Sequence, residues 1–195
     1  GETIKVYKGT EHTEEIIVDE GMLYLAVGTS EKNRHGGGLA ERNEPKPTDF
    51  RYITAINAET GKQLWKKDFA KGEDLLPLSL TVRGARVYYQ STSGVACLDA
   101  KSGSETWETP RKTPGKRMGF SGPTIVATDD ILLCADQDPG KAAADSGIEW
   151  GVHGWSIAGF ARGAKSTLIA YSVKDGKELW KAPCKEGYNS PVDLF

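Results

Sequence analysis

Cysteine is scarce. The 195-residue chain has three, Cys97, Cys134 and Cys184, none adjacent and no two in a Cys-x-x-Cys spacing. Neither a zinc site nor a redox motif is signalled, and each thiol, flanked by strand-like sequence, reads as a small buried hydrophobe. Charge of one sign is not in excess either: 25 Lys and Arg against 27 Asp and Glu leave a formal net charge of -2. That balance gives no reason to expect nucleic acid as a partner. No apolar run approaches the length of a membrane-spanning helix, so no membrane span is expected, and no charged-then-apolar leader opens the chain. Nor does any segment sustain an apolar stripe at the 3.6-residue helical period.

What is present is glycine, 23 residues of it, and many short apolar runs: IIV (16–18), MLYLAV (22–27), VYY (87–89), TIVA (124–127), ILLCA (131–135) and TLIAY (167–171). Several are paired across tight polar turns, Asp19-Glu20-Gly21, Arg83-Gly84-Ala85 and Thr128-Asp129-Asp130, the signature of β-hairpins. An eleven-residue phrase then occurs three times: AINAETGKQLW (55–65), CLDAKSGSETW (97–107) and AYSVKDGKELW (170–180). Each copy follows a hairpin, and the tryptophans are 42 residues apart (107 minus 65) and then 73 (180 minus 107). A hairpin, a third strand, a glycine turn and a tryptophan-bearing fourth strand predict a four-stranded antiparallel blade. Blade units are expected at about 10–68, 75–109 and 120–183, with insertions at about 29–50 and 136–166. The fold class is therefore all-β, a β-propeller of about three complete blades.

In the phrase, Gly61, Gly103 and Gly176 stand where a tight turn wants positive φ. Asn57 and Asp99 can accept hydrogen bonds from the turn's own amides, with Ser172 in the third copy and Asp175 sharing the role. Trp65, Trp107 and Trp180 recur at one place per blade, which suggests a packing element between blades; a ring of tryptophans as a ligand platform is the other reading.

The pattern Ala-x-Asp/Asn-x-x-Thr-Gly-x-x-x-Trp resembles the tryptophan-docking motif of PQQ-type, quinoprotein dehydrogenase-like β-propeller repeats. Ala55, Asn57, Thr60, Gly61 and Trp65 match in full. Cys97, Asp99, Ser102, Gly103 and Trp107 match with two departures, and Ala170, Ser172, Asp175, Gly176 and Trp180 with two more. The resemblance implies that each tryptophan lies between neighbouring blades. Gly1-Glu2-Thr3-Ile4 aligns with Gly61-Lys62-Gln63-Leu64, so a truncated strand is expected at 1–7 with Lys5 at the tryptophan place, and another at 188–195, where SPVDLF resembles the start of a hairpin. A closed propeller needs at least about four blades, so the chain is expected to be part of a longer repeat protein, with exposed blade edges open to self-association.

For function, the resemblance implies two classes. One is a non-catalytic scaffold or binding module that meets a protein partner, or other domains of its parent chain, in a periplasmic or extracytoplasmic setting. The other is part of a PQQ-dependent quinoprotein oxidoreductase of the alcohol or sugar dehydrogenase type. No cofactor is evident from the residues themselves; PQQ with calcium enters through the resemblance alone, and no adjacent-cysteine pair or alignable ligand set accompanies it. Binding residues would be sought in the insertions. The first, with Arg34, His35 and three glycines, has no Lys-Ser/Thr pair to make a phosphate cradle and reads as a surface loop. The second offers Asp136, Asp138, Trp150, His153, Trp155 and Arg162, an aromatic mouth or hard-cation site against the plainer reading that its apolar groups cover the propeller end.

Overall fold

The computed structural model describes residues 1–28, 51–70, 73–112, 123–137 and 165–185. These hold twelve strands and no helix. Strands β1 (Thr13–Asp19), β2 (Met22–Val27), β3 (Tyr52–Asn57) and β4 (Gln63–Asp68) form the first sheet. The second contains β5 (Leu75–Arg83), β6 (Arg86–Ser91), β7 (Gly94–Asp99) and β8 (Glu105–Pro110). The third contains β9 (Thr124–Ala127), β10 (Ile131–Gln137), β11 (Lys165–Ser172) and β12 (Glu178–Lys185). Every sheet is antiparallel and ordered as in the sequence. All three are the up-and-down blades of a β-propeller.

Turn chemistry sets the registers. Asp19 pairs with Met22, and the two residues between, Glu20 and Gly21, both have positive φ (45° and 75°), the geometry of a type I′ hairpin. Among the described residues, the continuous apolar runs of the central strands arise because both faces of a blade are covered. In the run VYY, Tyr89 points into a core shared with Ile53, Ala55 and Trp65 of the first sheet. Its neighbour Tyr88 points the other way, into a core with Leu132, Cys134 and Tyr171 of the third. The outer strands β4 and β8 share one burial pattern, exposed except at the buried Trp65 and Trp107 and the half-buried Lys67 and Thr109.

The inner strands carry a polar tie as well. β5 is irregular between Leu75 and Leu80, where Leu78 has a φ of 55°. The carboxylate of Glu15 on β1 accepts the Leu80 amide at 3.2 and 3.3 Å. Burial pushes the Glu15 carboxyl up to about 7, against the downward pull of the amides of Leu80 and Ser79. A carboxyl raised in the folded state stabilises fully below its unfolded value of 4.5 and loses that contribution as the pH rises to about 7. Glu15→Gln is therefore expected to remove the pH dependence across that window and to raise stability at pH 8 by roughly 2 kcal/mol. Urea melts of both proteins at pH 5 and pH 8 check this, and an equal gap at the two pH values contradicts it.

Two sequence expectations change. Residues 1–7, expected as part of a strand, form no ladder, and the Ile4 and Val6 side chains stand 99% and 73% exposed. The segment is instead held by side chains, with Lys5 Nζ donating to the Glu59 carbonyl. The second insertion begins later than 136, because β10 continues through Gln137, with Asp136 opposite Thr167 and Gln137 opposite Ser166. Polar residues extend that ladder past the apolar run that marked the strand. Residues 188–195 lie outside the described residues.

Candidate functional site

The repeated phrase supplies the most regular chemistry in the molecule. In the first turn, Asn57 Oδ1 accepts from the Thr60 amide at 2.7 Å and the Thr60 hydroxyl at 2.9 Å, and the Gly61 amide donates to the Asn57 carbonyl. In the second, Asp99 Oδ1 accepts from the Ser102 amide and hydroxyl, both at 2.8 Å, and these bonds hold the Asp99 carboxyl below its ordinary value. In the third, Ser172 Oγ accepts from the Lys174 amide at 3.3 Å, and Asp175, drawn down to about 2 chiefly by Lys177, accepts from the Lys177 amide. Gly61, Gly103 and Gly176 have φ values of 74°, 70° and 69°. One ladder irregularity adjoins each turn, at Ala55/Ile56, Cys97/Leu98 and Ala170/Tyr171.

These turns receive an aromatic ring from outside their own sheet. Trp65 Nε1 donates to the Ala100 carbonyl at 2.9 Å, and a Cβ on Gly103 would lie 2.5 Å from the Trp65 ring. Trp107 Nε1 donates to the Val173 carbonyl at 3.1 Å, and a Cβ on Gly176 would lie 2.5 Å from the Trp107 ring. The glycines are needed twice, for their positive φ and for the ring's close approach. Ala100 and Val173 are nodes: their amides donate to Ala85 and Asp130 on the inner hairpins, while their carbonyls take the indoles. The Val173 carbonyl also accepts Arg86 Nη1 at 2.5 Å, using its second lone pair. Trp65 and Trp107 are 8% and 9% exposed, whereas Trp180 is 44% exposed.

Ala55, Ala170 and Cys97 lie opposite their own sheet's tryptophan, and all three are fully buried. Burial pushes the thiols of Cys97 and Cys134 up to about 11 and 12, so neither is poised as a nucleophile. Of the candidate loop residues, the structure places Asp136, which lies in β10 at 2% exposure rather than in an open loop. Asp138, Trp150, His153, Trp155 and Arg162 lie outside the described residues.

At one end of the sheets the hairpin turns border an open cavity of about 610 Å³, lined by Asp19, Glu20, Arg83, Arg86, Tyr88 and Asp129 among others. Arg83 pairs with Asp129 at 2.9 Å across the second and third sheets. On the first and second sheets, Arg51 bonds Glu14 and Asp74 at 2.6 Å each. Sequence reading missed these ties because their partners come from distant segments. It also missed Tyr7, whose hydroxyl donates to the Ala58 carbonyl at 2.7 Å, with the ring 3.8 Å from a Cβ built on Gly61. Tyr7, not Lys5, thus takes the tryptophan's place over the first turn. Among the described residues no three His, Cys, Asp or Glu side chains converge as a metal site, and the three cysteines are free. No helix among them is long and apolar enough to cross a membrane.

Three blades joined in this way place the molecule in the class of β-propeller proteins. The chain belongs to the PQQ-type repeat family described as outer membrane protein assembly factor BamB, whose model matches residues 37–148. It is 28% identical over 146 residues to the 1-butanol dehydrogenase (quinone) of Thauera butanivorans, covering 70% of this chain and 20% of that protein. It is 25% identical over 138 residues to quinohemoprotein alcohol dehydrogenase ADH IIB of Pseudomonas putida, covering 66% and 17%. Among solved structures, the quinohemoprotein alcohol dehydrogenase of Comamonas testosteroni superposes with a TM-score of 0.50 at 15% identity, over 89% of this chain and 22% of that one. The chain therefore spans about a fifth of the length of the curated relatives it matches.

Proposed function

We propose that the chain is a propeller scaffold whose rigid blades present a binding surface to a protein partner or to other domains of its parent. The observation that carries this reading is the use made of the repeat's distinctive side chains. Trp65, Trp107, Asn57 and Asp99 act in turns and between sheets, holding blades together. The name of the matching family, an assembly factor, agrees with such a role. In this reading the repeat phrase is the tryptophan-docking motif, and the partner surface lies at blade ends, where insertions leave the sheets.

A second reading has its own observation: the curated relatives are named as quinone-dependent and quinohemoprotein alcohol dehydrogenases. Titration with PQQ and calcium, followed by absorbance and thermal shift, separates the two. The scaffold reading expects no saturable binding and no rise in melting temperature. Saturable binding with dye-linked alcohol oxidation would replace it with the oxidoreductase. We also infer a periplasmic or extracytoplasmic setting from the family resemblance; recovery of the native protein in the cytoplasmic fraction of its cell contradicts it.

A further inference from the structure

The inner hairpins of all three sheets meet around the cavity of about 610 Å³. Its wall takes Asp19 and Glu20 from the β1–β2 hairpin, Arg83 and Arg86 from either side of the β5–β6 turn, and Asp129 from the β9–β10 turn. This is the opposite end of the strands from the β2–β3 and β10–β11 connections, so the cavity is separate from the partner surface proposed above. A Cβ on Gly84, which also lines it, would meet nothing within 4 Å.

The two arginines are the unusual feature of that wall. Arg83 and Arg86 are direct cross-strand partners, and like charges opposite one another destabilise a ladder. Arg83 has Asp129 beside it, whereas Arg86 pairs with no carboxylate among the described residues. Arg86 is nonetheless held in place, by the Val173 carbonyl at 2.5 Å and by Tyr88, and a guanidinium carries more donors than those two partners use. The joint between sheets does not require it. At the equivalent place of the first sheet, opposite Asp19, stands Met22, and the Ala100 carbonyl there accepts the Trp65 indole with no arginine at that place. A fixed guanidinium with spare donors, next to a second one, suits an anion. On the first sheet's side of the cavity, Asp19 and Glu20 suit a cation.

We propose that this cavity binds a zwitterion of dipeptide length, its carboxylate on Arg86 and Arg83 and its ammonium beside Asp19 and Glu20. The size agrees: a round cavity of about 610 Å³ is roughly 10 Å across, and two residues of extended chain span about 7 Å. A carboxylate is planar and matches the fork of a guanidinium. The Arg83–Asp129 pair is 56% and 80% exposed, so it is worth little and a ligand carboxylate can take one side of it. A simple anion would meet the carboxylates of Asp19, Glu20 and Asp129 around the same space with no positive charge of its own to set against them, which is why the ligand needs both signs.

The test is a titration of the 195-residue chain with glycylglycine, followed by amide chemical shifts, with glycylglycinamide and N-acetylglycylglycine alongside. Glycylglycine is expected to bind saturably in the millimolar range. The amide lacks the carboxylate and the acetylated peptide lacks the ammonium, and each is expected to bind at least about tenfold more weakly, as for the loss of one charge-assisted bond. Arg86→Gln keeps a donor for the Val173 carbonyl and is expected to weaken glycylglycine by a similar factor. Arg83→Gln changes a side chain that is 56% exposed, so it leaves the fold intact, and is expected to weaken binding in the same direction. Glycylglycine that does not saturate the wild-type chain overturns the proposal. So does N-acetylglycylglycine that binds as tightly as glycylglycine, or a pair of folded arginine variants that both bind like wild type. The scaffold reading stands on the joints between sheets, and cofactor titration tests it separately.

Discussion

Gly103→Ala is expected to destabilise the chain by about 4 kcal/mol, whereas Gly61→Ala costs about 1 kcal/mol. The two glycines hold the same position in equivalent turns, with nearly the same φ, 70° and 74°. Both alanines would therefore suffer the same left-handed backbone strain, of roughly 1 kcal/mol. They differ in what a methyl group meets. At Gly61 the nearest atom belongs to Tyr7 at 3.8 Å, an ordinary contact. At Gly103 it is the Trp65 ring, at 2.5 to 2.8 Å. That ring is buried and held through its indole nitrogen, so it cannot swing aside. The methyl must push the first and second sheets apart, adding an overpacking cost of about 3 kcal/mol. Denaturant melts of the two variants measure the gap directly, and equal losses would show that the ring does not press on the turn.

Trp107→Ala has a comparable expected effect, about 4 kcal/mol, while Trp180→Ala costs no more than about 1 kcal/mol. Trp107 fills the core between the second and third sheets, stacked obliquely on Tyr88 with ring centroids 6.0 Å apart. Its removal opens a cavity and takes one donor from the Val173 carbonyl, which keeps Arg86. Trp180 has the same sequence surroundings but stands half in solvent. Thermal melts of the two variants check the contrast. Matching losses would mean that the repeat tryptophan stabilises its own sheet rather than the next.

Much of the architecture was legible because turn chemistry is local. Asp19-Glu20-Gly21 could be read as a hairpin from three residues, since glycine and its neighbour supply the positive φ that an I′ turn demands. Runs such as VYY marked strands, and the threefold recurrence of the phrase ending at Trp65, Trp107 and Trp180 marked the blade. What escaped depended on the third dimension. Nothing in the local sequence singles out Glu15; only the fold brings its carboxylate to the Leu80 amide of the next sheet. Tyr7 lies two residues beyond the aligned tryptophan place and could have been found had aromatics at that offset been considered. Asp136 was assigned to a loop because polarity rises there, yet hydrogen bonding to β11 continues beyond the apolar run. Of the candidate site, the turn and tryptophan residues were readable from repetition, whereas the loop residues appear once and have no second copy against which a role could be checked.

The central claim is that the tryptophan of one blade and the glycine turn of the next act as a unit. A double-mutant cycle of Trp65→Phe with Gly103→Ala, read by urea denaturation, tests it most directly. A phenyl ring is smaller and cannot reach the Ala100 carbonyl as a donor, so it should relieve part of the alanine clash. The account predicts a double variant at least about 1 kcal/mol more stable than the sum of the two single losses. Additivity within about 0.3 kcal/mol, the behaviour of independent sites, would contradict it.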